Sequence, residues 1–255
     1  MTANRIPQRL AEGVHPRTHR SPAFGAAPAR ALSTIARTLL LGMFLAACSE
    51  DDPTGPAGAE EPDSTFYRLT FDGTWSAGTH PDDFPQFAHF SGLIGGSHDG
   101  AVSFWDPAMP ATPGIQNMAE NGSKTPLRDE IEAAIAAGHA HEVISGDGIG
   151  RSPGSVDVIF GMHRDYPLVT VVSMIAPSPD WFVGVRSLPL HDGSGWVDSL
   201  VVDLYAYDAG TDSGVEYGSS NEPTVPHVPV AAIEEAPFLV EGAIPIVGRF
   251  TFVRQ

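Results

Sequence analysis

From Thr65 onward the chain alternates short apolar runs with turn-forming residues. Phe66-Tyr67-Arg68-Leu69-Thr70-Phe71 has a period of two and stops at Asp72-Gly73, the pattern of a half-buried strand ending in a turn. Ser155–Phe160 and Leu200–Tyr205 are similar runs, and Arg249–Val253 alternates again at the C-terminus. Leu168–Ile175 is apolar and β-branched nearly throughout, as expected of a central strand buried on both faces. First and last strands of matching character are expected to pair.

One segment changes period. Leu127, Ile131, Ala134, Ile135 and His139 recur at helical spacing. Thr125-Pro126 offers a cap and a first-turn proline, Asp129 and Glu130 suit the N-terminal end of the helix dipole, and Gly138 offers a stop. A second, shorter helical turn is expected around Ile115–Ala119. The pattern predicts an all-β domain over residues 65–255, an antiparallel β-sandwich with short helical insertions. The counts of 27 glycines and 23 prolines favour this turn-rich reading over a helical bundle.

The first 64 residues follow different rules. Thr38–Ala47 is a short apolar run preceded by Arg30 and Arg37 and followed by the chain's single cysteine, Cys48. Basic flank, apolar stretch and small residues form the order of an export signal, here residues 1–47. Leu45-Ala46-Ala47-Cys48 resembles the lipobox of bacterial lipoproteins, which implies lipidation at Cys48, anchoring to a membrane through that lipid, and a place in the cell envelope; Ser49, where an acidic residue would favour inner-membrane retention, points to the outer membrane. Residues 48–64 are acidic and rich in Pro, Gly and Ala, the composition of a flexible tether.

Charge divides at the same place. Six arginines face Glu12 before Cys48, a net of +5, whereas eight basic and thirty acidic residues follow, a net of −22. A strongly acidic domain excludes nucleic acid as partner, because binding it requires a basic face. One cysteine excludes an internal disulfide framework.

The densest polar residues fall in two stretches, Ala176-Pro177-Ser178-Pro179-Asp180-Trp181 and Asp208-Ala209-Gly210-Thr211-Asp212-Ser213-Gly214. Carboxylates four apart on a glycine-rich turn, whose carbonyls are accessible, suit a hard cation that takes six to eight oxygens. Such Asp-Gly stretches also occur as plain turns. His139-Ala140-His141 would need further ligands to hold zinc, and reads as a surface pair. Gly146–Gly150 lacks the Lys-Ser/Thr ending of a phosphate loop and reads as a hairpin loop. Trp75, Trp105, Trp181 and Trp196 read as core, with Trp181 beside the candidate site.

The same two stretches resemble the signatures of the spondin N-terminal domain family. Further stretches agree in order: Gly73-Thr74-Trp75-Ser76, His80-Pro81 with Phe84-Pro85, His89-Phe90-Ser91 with Leu93-Ile94-Gly95 and His98, Met118–Gly122, and Asn221–Pro226. The resemblance implies a C2-like antiparallel β-sandwich that binds Ca2+ in its loops, with Asp180, Asp208 and Asp212 as metal ligands and Asp157 a possible fourth. His191 stands where relatives often carry a cysteine.

The expected function is a secreted, lipid-anchored calcium-binding surface module, not an enzyme, for adhesion or ligand binding to a protein or glycan at the cell surface. Two alternatives share the same residues. One is a structural envelope lipoprotein stabilised by calcium. The other is a metal-dependent hydrolase, which would need His98, His163 or His191 near the ion.

Overall fold

The computed structural model describes residues 61–255, and these lie within one compact unit, Ala57–Gln255. The export signal, Cys48 and most of the tether lie outside the described residues.

The strands are β1 (Ser64–Gly73), β2 (His89–Phe90), β3 (Ile94–His98), β4 (Ala140–Ser145), β5 (Gly154–His163), β6 (Leu168–Ala176), β7 (Trp181–Pro189), β8 (Ser199–Leu204), β9 (Tyr207–Asp208), β10 (Ala231–Ala232) and β11 (Gly248–Arg254). The helices are α1 (Pro113–Asn121) and α2 (Leu127–Ala136). Two antiparallel sheets result. A four-stranded sheet has the order β5-β1-β11-β8, and a seven-stranded sheet the order β10-β9-β7-β6-β3-β4, with β2 added beside β6. First and last long strands pair as expected, Phe71 opposite Phe250 and Leu69 opposite Phe252.

The four-stranded sheet obeys its alternation. Tyr67, Leu69 and Phe71 of β1 point into the sandwich with Phe250 and Phe252, while Phe66, Ile159 and Val201 face outward. Phe71 meets Phe90 edge-on across the interface at 4.8 Å between ring centres, and Phe250 of its own sheet at 5.1 Å. β6 is buried along nearly its whole length because both its faces are covered. Val169, Val171 and Ile175 belong to the core between the sheets, and Val172, Met174 and Ala176 to a second core beneath the helices. The molecule is therefore a sandwich with a helical layer on one side. Gly95 permits the close approach of β3 to β6, since a Cβ there would lie 1.9 Å from the Thr170 carbonyl oxygen.

Helix ends depart from the local reading. Pro126 occupies the N-cap position of α2 rather than its first turn, with no side-chain cap, and Thr125 plays no capping part. Chain reversal occurs at Gly138, with φ +81°. The second helix is longer than expected, since Thr112 caps α1 and Gly122 closes it in the left-handed conformation. Thr112-Pro113 and Asn121-Gly122 are the signals that mark these ends. Glu130 serves the neighbouring helix: its Oε1 accepts from Gly114 N at 2.7 Å, and its Oε2 from Thr112 Oγ1 at 2.8 Å. Replacing Glu130 by alanine strips this anchor from the N-terminus of α1, and is expected to cost about 1–2 kcal/mol in urea unfolding.

Gly146–Gly150 is not a hairpin loop. β4 and β5 lie in different sheets, so the segment crosses between them, and Ile149 is buried in the core. All four tryptophans are buried.

Candidate metal centre

The turn between β6 and β7 is built by Ser178. Its Oγ donates to the Ile175 carbonyl at 2.6 Å and accepts from Trp181 N at 3.1 Å. This fixes Asp180 immediately before β7 with 0% exposure. Asp180 Oδ2 accepts three hydrogen bonds from the second loop: Thr211 N at 2.7 Å, Asp212 N at 3.0 Å and Thr211 Oγ1 at 3.2 Å. Its other oxygen, Oδ1, is buried and has no hydrogen-bond partner. One side chain thus ties together two loops 31 residues apart and keeps one oxygen free.

β9 carries Asp208 opposite Trp181. Asp208 Oδ1 accepts from Gly210 N at 2.7 Å, which curls the loop back on itself. Gly210 has φ +75°, and a Cβ there would lie 2.2 Å from the Val228 carbonyl oxygen, so the turn demands glycine. Asp212 closes the loop, Oδ1 accepting from Gly214 N at 2.8 Å and Oδ2 from Glu222 N at 2.9 Å. The Asn221–Pro226 motif is thereby explained, because Ser213 N donates to Glu222 O and Thr224 N to Thr211 O. Thr211 and Glu222 are positioning residues that spacing did not reveal. Both contribute mainly through backbone groups, which carry no residue-type signature.

Burial, and next the Asp208 charge, push the Asp180 carboxyl up to about 6. Asp208 is also raised, by burial first, against hydrogen bonds from Gly210 and Trp181 that favour its charged form. Asp212 and Glu235 add repulsion there. A buried and a half-buried carboxylate side by side, both resisting ionisation, lower their energy by taking up a proton or a cation. The free Asp180 oxygen and the paired repulsion fit a hard cation. Asp212 spends both oxygens on backbone amides, and among the described residues no group of three or more His, Cys, Asp or Glu side chains converges on one point. Asp157 lies on β5 of the other sheet, ion-paired to Arg68 at 2.6 Å.

The histidines make their bonds elsewhere. His98 is buried between Thr170 Oγ1 and the Asp99 carbonyl. His191 accepts from Gly193 N and meets Trp196 edge-on. His163 packs beside His141 and Tyr166.

The Spondin_N family profile matches residues 65–238. Similar proteins include Spondin-2 of Homo sapiens, 37% identical over 203 residues, covering 74% of this chain and 61% of that protein. Spondin-2 of Rattus norvegicus is 38% identical over 171 residues, covering 66% and 52% respectively. Spondin-1 of Rattus norvegicus is 38% identical over 192 residues, covering 69% of this chain and 24% of the relative. The chain spans less than two thirds of the length of each of these relatives.

Proposed function

Since this chain belongs to the Spondin_N family, we propose that it is a non-enzymatic extracellular module for adhesion or ligand binding, lipid-anchored at Cys48 in a bacterial cell envelope, with Ca2+ held in the loops before β7 and after β9. Asp180, Asp208 and Asp212 would hold the ion. Calcium supplies no chemistry in this reading beyond charge and coordination: it relieves the repulsion between Asp180 and Asp208 and stiffens the loop that Asp212 closes. The partner is a protein or glycan at the cell surface.

The observation that carries the reading is the fully buried Asp180 with one unpartnered oxygen beside a second carboxylate of raised pKa. A buried charge without a full set of partners is costly, and an ion offsets that cost. The rest of the loop uses its backbone amides to hold carboxylates in place, which leaves their remaining lone pairs for a metal.

Thermal unfolding of the full chain with calcium, magnesium or chelator tests this. Calcium is expected to raise the midpoint by about 5–10 °C at one hundred times its dissociation constant, and Asp208→Ala to lose that rise. A wild-type midpoint indifferent to calcium would remove the metal from the proposal and leave the family assignment untouched.

A further inference from the structure

A second group of chemistry-bearing side chains lies where the two sheets meet at β4 and β5. These are edge strands, β4 of the seven-stranded sheet and β5 of the four-stranded one. One side-chain hydrogen bond between them is Glu142 Oε2 accepting from Gly161 N at 2.9 Å. Next to it, the rings of His141 of β4 and His163 of β5 have centres 5.7 Å apart and planes tilted 44°. Tyr166 buttresses the pair. Its ring stacks on His141 at 5.7 Å and 13°, and its hydroxyl donates to the Gly138 carbonyl at 3.3 Å.

His139, two residues before His141, is drawn away. Its Nδ1 pairs with Asp99 Oδ2 at 3.0 Å. The His-Ala-His stretch therefore does not act as a local pair, and His141 finds its imidazole partner 22 positions along the chain. The second ring has a carboxylate nearby. Asp165 Oδ2 lies 3.5 Å from His163 Nδ1. That carboxylate makes no hydrogen bond to the ring at this distance, but it lies near enough to take one up if the proton moves to Nδ1, the arrangement common behind metal-binding histidines. Nδ1 accepts from Asp165 N at 3.2 Å, so the neutral ring carries its proton on Nε2, and a metal on Nε2 requires that proton to move to Nδ1.

We propose that His141 and His163 form a two-imidazole site for a divalent transition ion of the Zn2+, Ni2+ or Cu2+ class, stapling the edges of the two sheets together. Imidazole suits these ions, whereas calcium prefers oxygen. Two protein ligands leave the remaining positions to water, short of the closed four-ligand shell of a structural zinc site. The ion contributes by bridging strands of different sheets, so its binding reads out as stability of the whole sandwich.

The full chain is titrated with Ni2+ and separately with Zn2+ at neutral pH, and thermal unfolding is recorded for wild type, His139→Ala, His141→Ala and His163→Ala. Wild type and His139→Ala are expected to gain about 5–10 °C at one hundred times the dissociation constant. His141→Ala and His163→Ala are expected to gain nothing. An unresponsive wild type, or single variants that respond as the wild type does, would overturn the proposal. Spectroscopy of the Cu2+-loaded chain provides a readout independent of stability. Hyperfine coupling to two imidazole nitrogens is expected in wild type and to one in each single variant; two nitrogens persisting in both variants would also overturn it. Asp208→Ala leaves these signals unchanged, so failure here is distinct from failure of the calcium reading.

Discussion

In chelator at neutral pH, Asp180→Ala is expected to unfold with about 3 kcal/mol less stability than Asp180→Asn. Both substitutions remove the buried charge, so the comparison isolates the acceptor. Asparagine keeps an oxygen for Thr211 N, Asp212 N and Thr211 Oγ1. Alanine leaves two backbone amides and a hydroxyl without that partner in a buried loop junction, at about 1–3 kcal/mol for each stranded group, partly recovered by relaxation. Urea unfolding of the two variants measures the difference directly. Equal stabilities would mean that the loops are held by something other than Asp180.

The wild type adds a pH signature that the asparagine variant lacks. The Asp180 carboxyl is raised from 3.8 to about 6 in the folded chain, so the folded state keeps its proton longer than the unfolded state does. The resulting stability is fully present below the unfolded value and is lost as pH rises through about 6. A shift of this size corresponds to roughly 3 kcal/mol between the ends of that window. Unfolding in chelator should therefore show a decline in stability across this interval in wild type, flattened in Asp180→Asn. Saturating calcium should flatten it too, because the ion takes the place of the proton.

Phe71→Ala is the second large effect expected, a loss of about 3–5 kcal/mol. Phe71 is fully buried, and its edge-on contacts reach Phe250 within its own sheet and Phe90 in the opposite one. Truncation empties space between two sheets whose backbones are tied into separate hydrogen-bond ladders, so collapse around the cavity is limited. Phe66, five residues earlier on β1 but 61% exposed on the outer face, supplies the control. Its alanine variant is expected to change stability by less than about 0.5 kcal/mol. A comparable loss at both positions in denaturant unfolding would contradict the facing assigned to β1.

Much of the fold was legible because burial has a period. β1 and β11 alternate since each has one face on the core, and the nearly continuous apolar and β-branched run of β6 marks a strand covered by a sheet on one side and helices on the other. α2 showed itself by the spacing of Leu127, Ile131 and Ala134. Helix ends were less legible. Glu130 looked like a first-turn residue of its own helix, yet it caps α1, because the packing of the two helices brings that N-terminus within reach.

The candidate site divides in the same way. Aspartates and glycines at Asp180, Asp208, Gly210 and Asp212 were visible as residue types suited to a tight turn or a hard cation. That the buried Asp180 accepts from Thr211 and Asp212 was not, because a bond between loops 31 residues apart depends on the pairing of β7 with β9. Likewise the adjacency of His139 and His141 suggested one pair, while the meeting of β4 and β5 made another, His141 with His163. The sequence by itself determined strand character, the central strand, the presence of α2 and the residue types of the loops, since these follow from local periodicity and backbone preference. Tertiary structure alone decided which polar groups meet, because each such meeting is set by register and sheet packing between segments far apart in the chain.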